Sequence, residues 1–274
     1  MKNLNTNKIC RPRLLILGCG DVGMRLLPLL ADLDHPATLR RLAGLAHHVV
    51  HLAPPPAEGL LDRRTRNLTA ILPERGRVVY ISTTGVYGDC GGAWFDESRP
   101  VAPHNPRARR RVDAEQVLRR WAVRSGATLS ILRVPGIYAA DRLPTRRLEL
   151  GTPALREQDD VYTNHIHADD LARVIARALF RGAPNRVYHA VDDSDMKMAE
   201  YFDAVADACA LPRPPRLPRA ELAAQVTPAL LSFMSESRRM RNTRLKRELG
   251  VRLRYERVVV CLQQLKGVRK ESGA

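Results

Sequence analysis

A chain of 274 residues, 45% hydrophobic and 27% charged, has the length for a sizeable core, and no apolar run reaches membrane-spanning length. Lys and Arg total 45 against 29 Asp and Glu, a formal charge of +16. The excess is spread along the chain and not gathered in a stripe, which argues against nucleic acid and for a solvated surface that also attracts small anions.

Five scattered cysteines (Cys10, Cys19, Cys90, Cys209 and Cys261) include no CxxC pair, against both a disulfide framework and a zinc site. The opening MKNLNTNKICRPRLLILGCG holds too short an apolar run for a secretion signal, so a cytoplasmic protein without membrane contact is expected.

In chain order, RLLILGCGDVGMRLLPLLADL passes from an apolar strand through glycines to helix-spaced leucines. Gly18, Gly20 and Gly23 form G-x-G-x-x-G in its required setting: a turn, a close backbone approach for pyrophosphate and tight helix packing. A dinucleotide is therefore predicted over Gly18, Gly20, Asp21, Val22 and Gly23. HHVVHLAPPP and GRVVYISTTGVYG are two further strands ending in small or hydroxyl residues, with RTRNLTAILPERG as an intervening helix. Strands alternating with helices imply an α/β fold, a Rossmann-like doubly wound parallel sheet. Ligands gather at the carboxyl ends of such strands, which places Ala53, Pro54, Ser82, Thr83 and Thr84 there. ATLSILRVPGIYAADR repeats the pattern, and NRVYHAVDD is the expected last strand. The proline-rich LPRPPRLPRAE reads as an irregular link, and RRMRNTRLKRELGVRL as a basic helix ended by Gly250. The division expected is a nucleotide-binding domain over residues 12–190 and a mainly helical lobe over 191–274, with 136–167 contributing partly to the lobe.

GCGDVG, YISTTGVYG, ILRVPGIYAADR and NHIHADDLA, in this order, resemble the extended, atypical short-chain dehydrogenase/reductases of the NAD-dependent epimerase/dehydratase family. The resemblance implies NAD or NADP as cofactor, a carbonyl, alcohol or sugar-nucleotide substrate, and a homodimer. It implies that Thr83 hydrogen-bonds the reacting oxygen, although a hydroxyl there also suits capping of the strand-to-loop turn. Pro135 would approach the nicotinamide, and Thr84, Tyr87, Tyr138, Arg142 and His165 the substrate. One of Asp169 and Asp170 is expected to cap the following helix. His165 and His167 share a side but lack a third ligand, so no metal site is read there.

Two departures stand out. The family's catalytic helix carries Tyr-x-x-x-Lys with an acidic residue four positions on; aligned on Glu115, PRARRRVDAE puts Arg111 at the lysine and Arg107 at the tyrosine. Arginine stays protonated at working pH and cannot take the tyrosine's part in proton transfer, whereas Arg111 still suits ribose or phosphate. Helical spacing sends Arg107 and Arg111 to one side, Arg110 with Ala114, Val117 and Trp121 to another, and Arg109 to the polar face; an Arg111–Glu115 pair is plausible. Tyr87 is the nearest alternative proton source in the sequence, and packing competes as its role.

The second departure is that the stretch from Leu30 to His47 is too short for the second strand, its helix and most of the third. HPATLRR as a makeshift strand is the alternative. The residue that would distinguish NAD from NADP is lost with that segment. The readings left open are an oxidoreductase or epimerase with altered proton chemistry and a non-catalytic dinucleotide sensor or scaffold. A nucleic-acid binder, a third, would show steeply salt-dependent affinity.

Overall fold

The computed structural model describes residues 14–17 and 46–272. The glycine motif and HPATLRR lie outside these residues. Five strands form one parallel sheet: β1 (Leu14–Leu17), β2 (His48–His51), β3 (Arg77–Thr83), β4 (Thr128–Val134) and β5 (Arg186–His189). They stand side by side in chain order, β1-β2-β3-β4-β5, with Val49 beside Val78 and Val78 beside Leu129. β2 is thus the direct neighbour of β1, the pairing that the first and fourth strands of a Rossmann sheet also make.

Side chains alternate across a strand, so each run feeds two cores. Leu17, Val49, Val78, Tyr80, Leu129 and Ile131 face α1 (Arg63–Thr69) and α2 (Pro106–Ser125), packing on Leu68, Leu118 and Trp121. Val50, Val79, Leu132 and Val134 face α3 (Ala168–Arg181) and the short helix Thr243–Leu249, packing on Leu171, Val174, Leu245 and Leu249. Each fully buried leucine of this kind contributes about 1.5–3 kcal/mol.

α2 takes both of its bounds from its own residues. Asn105 accepts from the Ala108 N–H at 2.9 Å, Pro106 fills the first turn, and Gly126 ends the helix at φ +64°. α3 corrects the expected cap. His167 Nδ1 accepts from the Asp169 N–H at 3.2 Å, while the buried Asp170 carboxylate accepts from the backbone of Arg254 and Tyr255. Asp170 therefore pins a distant loop, and the histidine ring takes the orphan donor.

A third core forms the lobe. Tyr138, Leu148 and Leu155 join α4 (Met198–Cys209) and the C-terminal helix Val258–Ser272 through Phe202, Val205, Val258 and Leu262. Two expectations change here. The proline-rich link contains a short strand, Arg216–Leu217, paired with Ala154–Leu155, and is followed by a helix, Arg219–Gln225. The basic helix shrinks to Thr243–Leu249, because Arg239–Met240 pairs as a strand with Trp94–Phe95 and Asn164 Oδ1 accepts the Met240 N–H. Among the described residues no helix is long and apolar enough to cross a membrane.

Candidate active site

The carboxyl ends of β3 and β4 open onto a cavity of about 440 Å3. Thr83, Thr84 and Gly85 form one wall, where β3 breaks into a 3-10 turn. Thr83 Oγ1 accepts the Gly85 N–H at 3.3 Å, so this side chain both caps the turn and faces the cavity. Gly88 closes the turn at φ +64°, and a Cβ there would stand 2.4 Å from the Ala102 carbonyl oxygen, so only glycine fits. Pro135, Gly136 and Ile137 continue the wall beyond β4. The lobe closes the opposite side with Tyr162, Thr163, Asn164, His165, Met198, Tyr201, Phe202, Leu230 and Phe233.

The four arginines of PRARRR have four different surroundings. Arg107 lies at the cavity with its guanidinium 4.3 Å from the centre of the Phe233 ring. Partial burial lowers its pKa, and Arg111, Arg238 and Arg110 add to this against the opposing influence of Glu236. Arg109 is exposed. Arg110 is buried and donates to the Gly59 carbonyl at 2.5 Å, beside Ala114 and Trp121 as the spacing predicts. Arg111 Nη1 donates to Tyr80 Oη at 3.0 Å and to the Ile81 carbonyl at 2.8 Å. Arg142, Arg147 and Arg238 also line the cavity. Arg147 lies 4.1 Å over the Phe202 ring, its Nε has no partner, and burial pulls its pKa down to about 10. Arg238 is paired with Glu236, the carboxylate of the cavity wall.

Beside the cavity runs a closed polar network. Ser82 Oγ donates to Glu115 Oε1 at 2.6 Å, and Glu115 takes both Nε and Nη2 of Arg133, at 3.1 and 2.6 Å. The sequence-level alternative of an Arg111–Glu115 pair gives way to this buried bidentate one. Arg133 Nη1 donates to Tyr87 Oη at 2.6 Å. His189 Nδ1 faces the Arg241 carbonyl at 3.0 Å and therefore carries its proton there; Nε2 accepts from the Tyr87 hydroxyl at 2.6 Å. Burial opposes the Arg133 charge, but Glu115 more than offsets this and raises its pKa. Burial pushes Tyr87 up to about 12 and His189 down to about 3.

A second group of the same residue types lies beneath Gly136 and is not closed. His165 is 5% exposed; its Cδ2 lies 3.6 Å from the Cβ position of Gly136, and its ring centre 4.2 Å from that of Tyr201. The Asp192 N–H donates to the His165 carbonyl at 2.7 Å. His165 Nδ1, Tyr138 Oη and Asp192 Oδ2 are all buried without a hydrogen-bond partner. Burial lowers the His165 pKa to about 3 and raises that of Asp192 to about 7. Burial, then the Asp192 charge, raises that of Tyr138. Neutral forms fit a buried group that lacks a cation.

Thr83, Thr84, Arg107, Pro135, Arg142 and His165 thus come together at one cavity. Tyr87 and Ser82 are turned into the closed network, Tyr138 and Ala53 are packed in cores, and Pro54 is exposed on the loop after β2. Gly18, Gly20, Asp21, Val22 and Gly23 lie outside the described residues. Sequence reasoning missed Arg147, Tyr162, Tyr201, Phe202, Phe233, Glu236 and Arg238. None of these carried a local signal; Arg133 of the neighbouring network did, as a charge inside the apolar run SILRV.

The family described as RmlD substrate binding domain matches residues 63–265. A dTDP-glucose 4,6-dehydratase of Streptomyces niveus is 29% identical over 143 residues, 49% of this chain and 42% of that protein. The chain matches about half the length of such curated relatives. A functionally unknown conserved protein from Silicibacter pomeroyi DSS superposes with TM-score 0.74 at 28% identity, covering 94% of this chain and 99% of that one. RMD from Pseudomonas aeruginosa, complexed with NADPH, gives TM-score 0.72 at 18% identity over 94% and 100% of the two chains, a likeness of fold. With the matched span and the parallel sheet in agreement, the chain belongs to the RmlD substrate-binding-domain family, among the extended short-chain dehydrogenase/reductases of the NAD-dependent epimerase/dehydratase kind.

Proposed function

We propose that this protein binds NAD or NADP and acts on a sugar-nucleotide-type carbonyl or alcohol, with Arg107 and Arg111 in place of the family's tyrosine and lysine. The observation that carries the reading is the single cavity at the strand ends where the Thr83 and Thr84 hydroxyls meet arginines and aromatic rings. Ring faces suit a sugar or base, and guanidinium groups suit phosphate. The relatives' names, dTDP-glucose 4,6-dehydratase above all, support the same substrate class.

Of the residues that would hold the dinucleotide, Thr83 and Pro135 fit its nicotinamide end, since both line the cavity at strand ends. Gly18, Gly20 and Gly23 would take the pyrophosphate, with Asp21, Val22, Ala53, Pro54 and Ser82 around them. When bound, the nicotinamide supplies hydride exchange with a carbon of the ligand. Thr83 would hold the reacting oxygen, Thr84, Arg142 and His165 would shape the substrate side, and Arg107 would stabilise negative charge without exchanging a proton. Arg111, engaged with Tyr80 and Ile81, positions the end of β3.

A non-catalytic sensor is the second reading, favoured by Arg107 at the tyrosine position. Calorimetry with NAD and NADPH, with a turnover assay on dTDP-glucose and UDP-glucose, separates the two. Binding with turnover supports the enzyme; binding alone supports the sensor; neither removes both. A cytoplasmic homodimer, with a division near residue 190, belongs to the same proposal, and sedimentation tests the dimer.

A further inference from the structure

The cavity wall carries more positive charge than its own acid neutralises. Glu236 and Arg238 form a pair, which leaves Arg107 and Arg147 facing the cavity with no carboxylate in ion-pair range among the described residues. Both guanidiniums rest on phenylalanine faces, Arg107 on Phe233 and Arg147 on Phe202. A ring face takes no N–H donor, so stacking fixes Arg107 and leaves its edge available to a ligand, whereas Arg147 also donates from Nη2 to the Pro153 carbonyl at 2.8 Å and keeps only the rest of its edge. The two cations are also separate. Arg107 stands on α2 against Phe233, whereas Arg147 stands on the short lobe helix Thr145–Glu149 against Phe202. Arg107 and Arg147 are therefore two separate positive poles of the cavity, and a diphosphate satisfies only one of them.

We propose that the ligand carries a second anionic group, a carboxylate, which Arg107 binds beside the Thr83 and Thr84 hydroxyls, so that the ligand class is the acid-bearing, uronic-type sugar nucleotide and not the neutral hexose. This rests on the sugar-nucleotide reading above. The planar fork of Arg107 matches a carboxylate in bidentate fashion, and a threonine hydroxyl adds a donor on the same side. A neutral sugar would leave Arg107 partly desolvated with only the Glu236 carboxylate, already paired with Arg238, to offset its charge, which disfavours it relative to the acid.

The test is calorimetry of the full chain with UDP, UDP-glucose and UDP-glucuronic acid, in the wild type, R107Q and R147Q. A charge-assisted contact of about 1.5–3 kcal/mol corresponds to about 10- to 100-fold in affinity, and the wild type is expected to prefer the acid over UDP-glucose by that factor. R107Q should abolish the preference and leave UDP binding unchanged, while R147Q should weaken all three probes together. Equal affinity of the wild type for the two sugars overturns the proposal, and so does a preference that survives in R107Q. Loss of UDP binding in R107Q overturns it too, by making that pole the diphosphate site. The wild-type ratio decides even if R107Q does not fold. If UDP binds and the acid has no advantage, this inference alone falls; if none of the three binds, the sugar-nucleotide reading fails and takes it along.

Discussion

Two groups of tyrosine, histidine and carboxylate lie within the same fold and behave differently. Tyr87, His189 and Glu115 are closed by Arg133, and each of these side chains has a partner at hydrogen-bonding distance. Tyr138, His165 and Asp192 have no such cation and leave three polar atoms unmatched. Residue type alone therefore does not mark a site. A satisfied buried network fixes strand ends, whereas an unsatisfied one next to a cavity retains capacity for chemistry or a ligand.

The sharpest way to break the comparison is to remove the closing charge. Glu115→Ala leaves Arg133 buried without its partner and should cost about 3–5 kcal/mol in urea unfolding. A loss below about 1 kcal/mol would show that the network is not closed in solution.

Asp192 should show the opposite behaviour. The unfolded carboxyl ionises near 3.8, but the folded one keeps its proton up to about 7. Between these values the folded state binds more protons, so raising the pH through the window weakens the fold, and the loss is complete above about 7. At about 1.4 kcal/mol per pH unit the penalty reaches a few kcal/mol. Asp192→Asn should flatten this slope and be the more stable protein at about pH 8, as urea midpoints across the window would show. An unchanged slope in D192N would contradict the assignment.

The two tyrosines provide the finest contrast. Tyr87→Phe removes a hydroxyl with two partners and should cost about 1–3 kcal/mol. Tyr138→Phe removes one that is coupled to the Asp192 carboxyl but lacks hydrogen-bonding geometry to it, and should cost less than about 1 kcal/mol. Equal losses in thermal melts would erase the distinction between the groups.

Local signals were readable wherever neighbours in sequence decide the outcome. Val49, Val78 and Leu129 announced the strands, and Asn105, Pro106 and Gly126 bounded α2 within the chain's own chemistry. The replacement of tyrosine and lysine by Arg107 and Arg111 was also legible, since it needs only the alignment on Glu115. What was not legible depends on long-range pairing. Glu115 chose Arg133 on a neighbouring strand over Arg111 one turn away, because burial rewards a bidentate partner that a helix surface does not offer. His167 displaced Asp169 and Asp170 as the cap because the latter carboxylate was claimed by residues 254 and 255. Phe233, Glu236 and Arg238 reach the cavity from over 140 positions beyond Thr83, with nothing in their own segment to indicate it.

The chain-order sheet has a consequence for how the molecule is made. During synthesis each described strand emerges next to the one neighbour already waiting for it, and no later strand has to cross back over an earlier one. Short sequence separations between partners favour rapid pairing, and the longest connections come last, from Thr83 to Thr128 and from Val134 to Arg186, so β4 and β5 pair late. The sheet can therefore grow from a single advancing edge, and the strand ends that carry the cavity, those of β3 and β4, stand in place before β5 is added.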